Sequence, residues 1–143
     1  MTVAMEPRVV SNETVVIASE DDIVLTRRKV RQLAEKLGFD PFTIAAITTA
    51  TSELCRNIYV HAVKGTTLVE EIAAAGRSGI RAEFRDEGPG IADIGRVLAG
   101  GYSTAKSLGL GVSGSKRLVD EFRIETIVGH GTVITVVKWK RPT

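Results

Sequence analysis

Ser52-Glu53-Leu54-Cys55-Arg56-Asn57-Ile58-Tyr59 lies inside a run from Pro41 to about His61 whose apolar residues recur at helical spacing. Asp40-Pro41 is a strong helix start, with Asp as N-cap and Pro at the first helical position. At about 100° per residue, Ile44, Ile47, Thr51, Leu54 and Ile58 share one stripe, the natural core face. Glu53 and Asn57 fall beside that stripe rather than opposite it, with Ala46 and Ala50 on their side. Small alanines there leave room for something bulky against the helix. A carboxylate and an amide one turn apart fit an exposed i,i+4 polar pair, or a pair of oxygen donors facing a ligand.

On the N-terminal side, residues 1–12 show no period and are expected to be flexible. Glu13 to Ser19 is β-branched and predicts a strand. Ser19 as N-cap, followed by Glu20, Asp21 and Asp22, opens a helix whose stripe is Ile23, Val30, Leu33 and Leu37 and which stops near Gly38. On the C-terminal side, 66–75 and 79–86 predict a hairpin across Gly76-Arg77-Ser78-Gly79. Gly88-Pro89-Gly90 breaks the chain, and a short helix is expected around Ile91–Leu98. A glycine-rich stretch to Leu108 follows, then a helix over 110–122 with Val112, Leu118, Val119 and Phe122 buried. Runs 123–128 and 132–139 predict a second hairpin. The expected architecture is a two-layer α/β sandwich, a mixed sheet with helices on one face, as a single domain over 13–143.

The chain has 143 residues, enough for one substantial core, and its 43% hydrophobic and 25% charged content is that of a globular protein. A net charge of +2 without a dense Lys/Arg run argues against nucleic acid or an anionic membrane as partner. The lone Cys55 excludes an internal disulfide, and no apolar stretch reaches the roughly 20 residues that span a bilayer. A cytoplasmic location is expected. His61 and His130 do not pair with Cys55 as a zinc site, and Ser103, Ser107, Ser113 and Ser115 lack His/Asp partners for a hydrolase triad.

Three further segments join Glu53 and Asn57. Asp86-Glu87-Gly88-Pro89-Gly90 is an acid and two glycines at a strand end: a plain turn, or a carboxylate accepting from an exocyclic amine of adenine. Gly88 and Gly90 would then let backbone close against the base. Gly109-Leu110-Gly111-Val112-Ser113-Gly114 matches G-x-G-x-x-G, but no strand precedes it and no H-R-D or D-F-G occurs, so neither the dinucleotide nor the eukaryotic-type kinase version applies. Its surviving physics is a glycine-opened helix N-terminus whose N–H groups bind phosphate, with 100–108 as a lid. Gly129-His130-Gly131-Thr132 is a hairpin turn by default; its place after the other segments recruits the Thr132 hydroxyl beside Asp86. Together these suit a magnesium-bound adenine triphosphate, with Asn57 as metal ligand and Glu53 as general base.

In this order the segments resemble the ATP-binding fold shared by gyrase, Hsp90, histidine kinases and MutL, the GHKL or Bergerat-fold proteins. Glu53-x-x-x-Asn57 is similar to the N box, Asp86-x-Gly88-x-Gly90 to the G1 box, Gly109-x-Gly111 to the G2 box, and Gly131-Thr132 to the final Gly-Thr. Glu53, where histidine kinases commonly have Asn, resembles the members with a general base, including the anti-sigma-factor serine kinases. SELCRNIYVHA, DEGPGI, GGYSTAKSLGLGVSGSKRLVDEF and the late GHGT…KW look most like the RsbT-type switch kinases of the stressosome. Ser107 stands where the broader family often has Gly.

That resemblance implies a protein serine/threonine kinase with ATP and Mg²⁺ as cofactors and Glu53 as catalytic base. Asn57, Asp86, Gly88, Gly90, Gly109, Leu110, Gly111 and Thr132 would bind the nucleotide, and Asn57 the metal. It implies as partners STAS-domain proteins of the RsbS and RsbR types and an RsbU-type phosphatase. The alternatives are an RsbW or SpoIIAB-type anti-sigma factor kinase, or a nucleotide-dependent partner-switching protein without significant turnover.

Overall fold

In the computed structural model, which describes residues 6–62, 64–88 and 106–142 (the side chains of 106–110 aside), the long helix forms where its periodicity put it, as α2 (Pro41–His61). Asp40 fixes its start. The Thr43 hydroxyl donates to Asp40 Oδ2 at 2.7 Å and the Thr43 N–H to Oδ1 at 2.8 Å, and these bonds hold the Asp40 carboxyl below the usual carboxylate range. Ile47, Thr51, Leu54 and Ile58 are buried along the expected stripe, and Ile44 is half-buried. Helix α1 (Glu20–Lys36) buries Ile23, Thr26, Val30 and Ala34. Its cap differs from expectation: Ser19 makes no side-chain bond to the helix N–H groups, and Asp22 reaches back instead to accept from the Ala18 N–H at 2.9 Å and the Ser19 hydroxyl at 3.1 Å.

The described strands are β1 (Arg8–Ile17), β2 (Gly65–Ala74), β3 (Arg77–Asp86), β4 (Glu121–Ile127) and β5 (Gly131–Trp139), in the order β1-β2-β3-β5-β4. The two layers stand as expected, with helices over one face of the sheet. The expected mixed sheet does not: every pairing is antiparallel. β3 and β4 do point the same way, but β5 runs between them, so the crossover from β3 through helix α3 (Lys106–Leu118) to β4 leaves no parallel pair.

Three further boundaries shift. Residues 8–12, expected to be loose, pair with β2 from Arg8↔Ala73 onward; ladder bonds hold this exposed segment, and it has no buried face for a sequence pattern to betray. The first hairpin turns at Ala75-Gly76, both at positive φ (51° and 77°), not over 76–79. Gly79 lies in the strand, where the Trp139 ring covers it so closely that a Cβ would come within 2.6 Å of Cε3. Phe122 belongs to β4, because α3 ends at Leu118.

Inward-facing Val15, Ile17, Val69, Ile80, Ala82, Phe84, Ile134 and Val136 alternate along the strands and meet Ile23, Val30, Ile47, Leu54, Ile58 and Val112 from the helices in one core. On the far face Trp139 packs with Ile72 and Val137, under Arg77 and with its indole N–H donated to Glu121 at 2.8 Å. Among the described residues no helix is long and apolar enough to cross a membrane. The short helix expected around 91–98 lies outside the described residues.

Candidate functional site

Glu53, Asn57 and His61 follow one another at i, i+4 and i+8, so they line a single face of α2 over about 12 Å. Helix α2 packs against α1 on one side and α3 on the other. The side toward α3 is close. A Cβ built on Gly111 would lie 3.3 Å from both Asn57 Oδ1 and Glu53 Oε2, so α3 passes the two oxygen donors closely there. Ala46 and Ala50 are themselves buried, so the space they leave is used by the fold.

Two polar atoms on that face lack partners among the described residues. Asn57 is 8% exposed and its Nδ2 is buried without a hydrogen bond; His61 Nε2 is buried without one as well. Orphaned buried donors and acceptors are rare and costly, and two of them one helical turn apart mark a place built to meet something else. Burial lowers the His61 pKa, opposed by the charge of Asp86, and so favours the neutral ring.

The Asp86 carboxyl terminates β3 beside the end of α2. It accepts from the Gly88 N–H at 2.9 Å, and burial raises its pKa against the opposing effects of the Gly88 N–H, the Thr132 N–H and His61. Asp86 pairs with Thr132 across the β3–β5 ladder, and the buried Thr132 hydroxyl shares a hydrogen bond with the Thr126 hydroxyl at 3.0 Å. A Cβ on Gly88 would stand 2.8 Å from Ala62 Cβ, so the turn after Asp86 folds directly against the end of α2.

The structure therefore gathers Glu53, Asn57 and Gly111 at one end of this face, and Asp86, Gly88 and Thr132 at the other. His61 connects them. Gly109 and Leu110 lie in α3, which begins at Lys106, so the glycine pair does not open the helix as expected. Gly111 sits closely against α2, and the helix N-terminus five residues earlier, at Lys106, presents the free N–H groups. Gly90 and the lid segment 100–105 lie outside the described residues.

Sequence reasoning gave His61 only a helix-end role and treated Gly131 chiefly as part of a turn. Gly131 has φ +133°, and a Cβ there would overlap the Asp86 carbonyl oxygen. The residue type was visible, but nothing in the chain placed it against Asp86. Gly131→Ala is expected to destabilise the fold by about 1–3 kcal/mol through backbone strain, and to lower the thermal midpoint accordingly. An unchanged melting curve would refute this account of the Asp86–Gly131 contact.

A family model described as the histidine kinase-like ATPase domain matches residues 16–138. The serine/threonine-protein kinase RsbT of Bacillus subtilis is 46% identical over 125 residues, covering 87% of this chain and 94% of the relative. An anti-sigma F factor of a Thermoanaerobacter species is 30% identical over 100 residues, 67% of this chain and 70% of that one. A solved structure of the RsbU and RsbW domains of a Mycobacterium tuberculosis protein superimposes with a TM-score of 0.65 at 22% identity, over 94% of this chain and 34% of that one. That likeness shows the fold.

Proposed function

Since the chain belongs to the histidine kinase-like ATPase family, and within it to the RsbT-type serine/threonine kinases that bind ATP, we propose that it transfers the γ-phosphoryl group to Ser or Thr of STAS-domain proteins of the RsbS and RsbR types. Once released from them, it activates an RsbU-type phosphatase. The observation that carries the site assignment is the line Glu53–Asn57–His61 on α2, with two orphaned polar atoms and Asp86 at its end.

In this reading the Asp86 carboxylate accepts from the adenine amine, with the Thr132 hydroxyl beside it. The first turn of α3 offers its N–H groups to the phosphates. Gly109, Leu110 and Gly111 carry that helix past α2, and Gly88 and Gly90 let backbone approach the base. Among the described residues no group of three or more His, Cys, Asp or Glu gathers, whereas magnesium needs only one or two protein oxygens when phosphates supply the rest. Asn57 Oδ1, a hard oxygen donor whose own amide lacks a partner, fits that role. Magnesium bound there would neutralise charge on the phosphates.

Glu53 takes the proton as the acceptor hydroxyl oxygen attacks the γ-phosphorus. The new O–P bond forms, the bond to the bridging oxygen breaks, and ADP leaves with the electron pair. Positioning and charge neutralisation supply most of the rate, so few side chains suffice.

Incubating the chain with γ-labelled ATP and a purified RsbS-type STAS protein is expected to label a Ser or Thr of that protein. Label released only as inorganic phosphate would overturn the reading. Retention of a sigma factor instead, as the anti-sigma relatives' name suggests for them, would move the chain to that branch.

A further inference from the structure

A groove of about 620 Å³ runs between α1 and α2 on the side away from the sheet, walled by Arg27, Arg28, Arg31 and Arg56. All four arginines are exposed, and none is ion-paired among the described residues. Thr48, Thr49, Ser52 and Glu53 of α2 line it as well. A smaller hollow shares Val24, Arg27, Ser52 and Arg56 and runs on to Glu20. Four guanidiniums against two carboxylates, in a chain whose net charge is only +2, concentrate positive potential at one place.

We propose that this groove seats an acidic segment of the protein that receives the phosphate, and that the four arginines hold the segment so that its hydroxyl lies at Glu53. The inference rests on the reading of Glu53 as general base and deepens it by naming what the acceptor must look like. Guanidinium forks pair bidentately with carboxylates, so a segment rich in Asp or Glu on both sides of its Ser or Thr matches four of them around one concave wall. Among the described residues that line this groove Glu53 is the one acid, and Arg56 follows it one turn further along α2. Among the described residues the groove has no aromatic side chain on which a base could stack, which favours an acidic peptide over single-stranded nucleic acid.

The test uses the full chain and a fluorescein-labelled peptide, Glu-Glu-Glu-Ser-Glu-Glu-Glu, followed by anisotropy at low salt. The peptide is expected to bind with a dissociation constant below about 1 mM and to weaken as salt rises. The analogue with Gln for every Glu should not bind. Arg27→Glu with Arg31→Glu should weaken peptide binding about tenfold or more. Arg85→Glu with Arg123→Glu makes the same change in net charge on the far face of the sheet and should leave binding in place. Thermal melting of each variant checks that the fold persists, and Arg27→Lys with Arg31→Lys, which keeps the charge without the fork, should bind between the unaltered chain and the Glu variant.

Equal binding of the Gln peptide, equal loss in the far-face variant, or tighter binding of a single-stranded oligothymidylate than of the acidic peptide would overturn the proposal. Glu53→Gln separates the two readings. It removes a negative charge from the groove, so the peptide should bind at least as well. If that variant still transfers phosphate, the base assignment fails while the binding result stands on its own.

Discussion

Glu53→Gln is expected to lower kcat for transfer by about 10²–10⁴-fold, the range general-base catalysis supplies, with ATP affinity nearly unchanged. The geometry sets that split. Glu53 Oε2 and Asn57 Oδ1 both face the Gly111 backbone, but Asn57 is the buried member whose amide is orphaned, while Glu53 is half-buried and opens onto the arginine groove. Gln has the same length and packs in the same space, yet cannot take the hydroxyl proton. Isothermal calorimetry with ATP and a labelled-acceptor assay on one preparation read both halves. Loss of ATP binding in this variant would mean that Glu53 holds the nucleotide and is not the base.

Asp86→Asn is expected to weaken ATP binding about tenfold to a hundredfold, since a hydrogen bond to a charged group contributes about 1.5–3 kcal/mol and Asn turns a donor toward the adenine amine. The same substitution should raise the thermal midpoint of the nucleotide-free chain. Burial raises the Asp86 pKa, so the folded chain keeps a proton that the unfolded chain gives up. The contribution of this group to stability is therefore complete below about pH 3.9, the ordinary carboxylate value, and is lost as pH rises through the raised folded value. Asn removes that loss and can still accept from the Gly88 N–H. For the unaltered chain, ATP affinity should fall as acid protonates Asp86, beginning at a higher pH than an ordinary Asp would give. Melting curves with and without ATP, and calorimetry across a pH series, check the paired effects; a variant that binds ATP normally sinks the adenine assignment.

Much of this was legible in the chain because the signals were local. Asp40-Pro41, the stripe Ile47-Thr51-Leu54-Ile58 and the spacing of Glu53 and Asn57 are all set within one helix, and the structure reproduces them. What escaped depends on partners distant in sequence. Gly79 looked like a turn residue until Trp139, far along the chain, was found lying on it. The start of β1 is held by ladder bonds to β2 and has no inward pattern of its own. His61 was set aside as a helix-end residue, because only the return of β3 brings Asp86 to it. The arginines of α1 are scattered at 27, 28 and 31, and no short motif joins them to Arg56.

β5 is translated after β4 yet sits inside the sheet, next to β3. On the ribosome, therefore, a nascent chain that ends before β5 leaves one edge of β3 unpaired and β4 without the strand it pairs with. Only when residues 131–139 emerge do both strands gain their ladder, and Thr132 comes beside Asp86 with it. A stalled product carries an unpaired edge of β3 and lacks the Asp86–Thr132 pair, which makes it an object for chaperones or proteases.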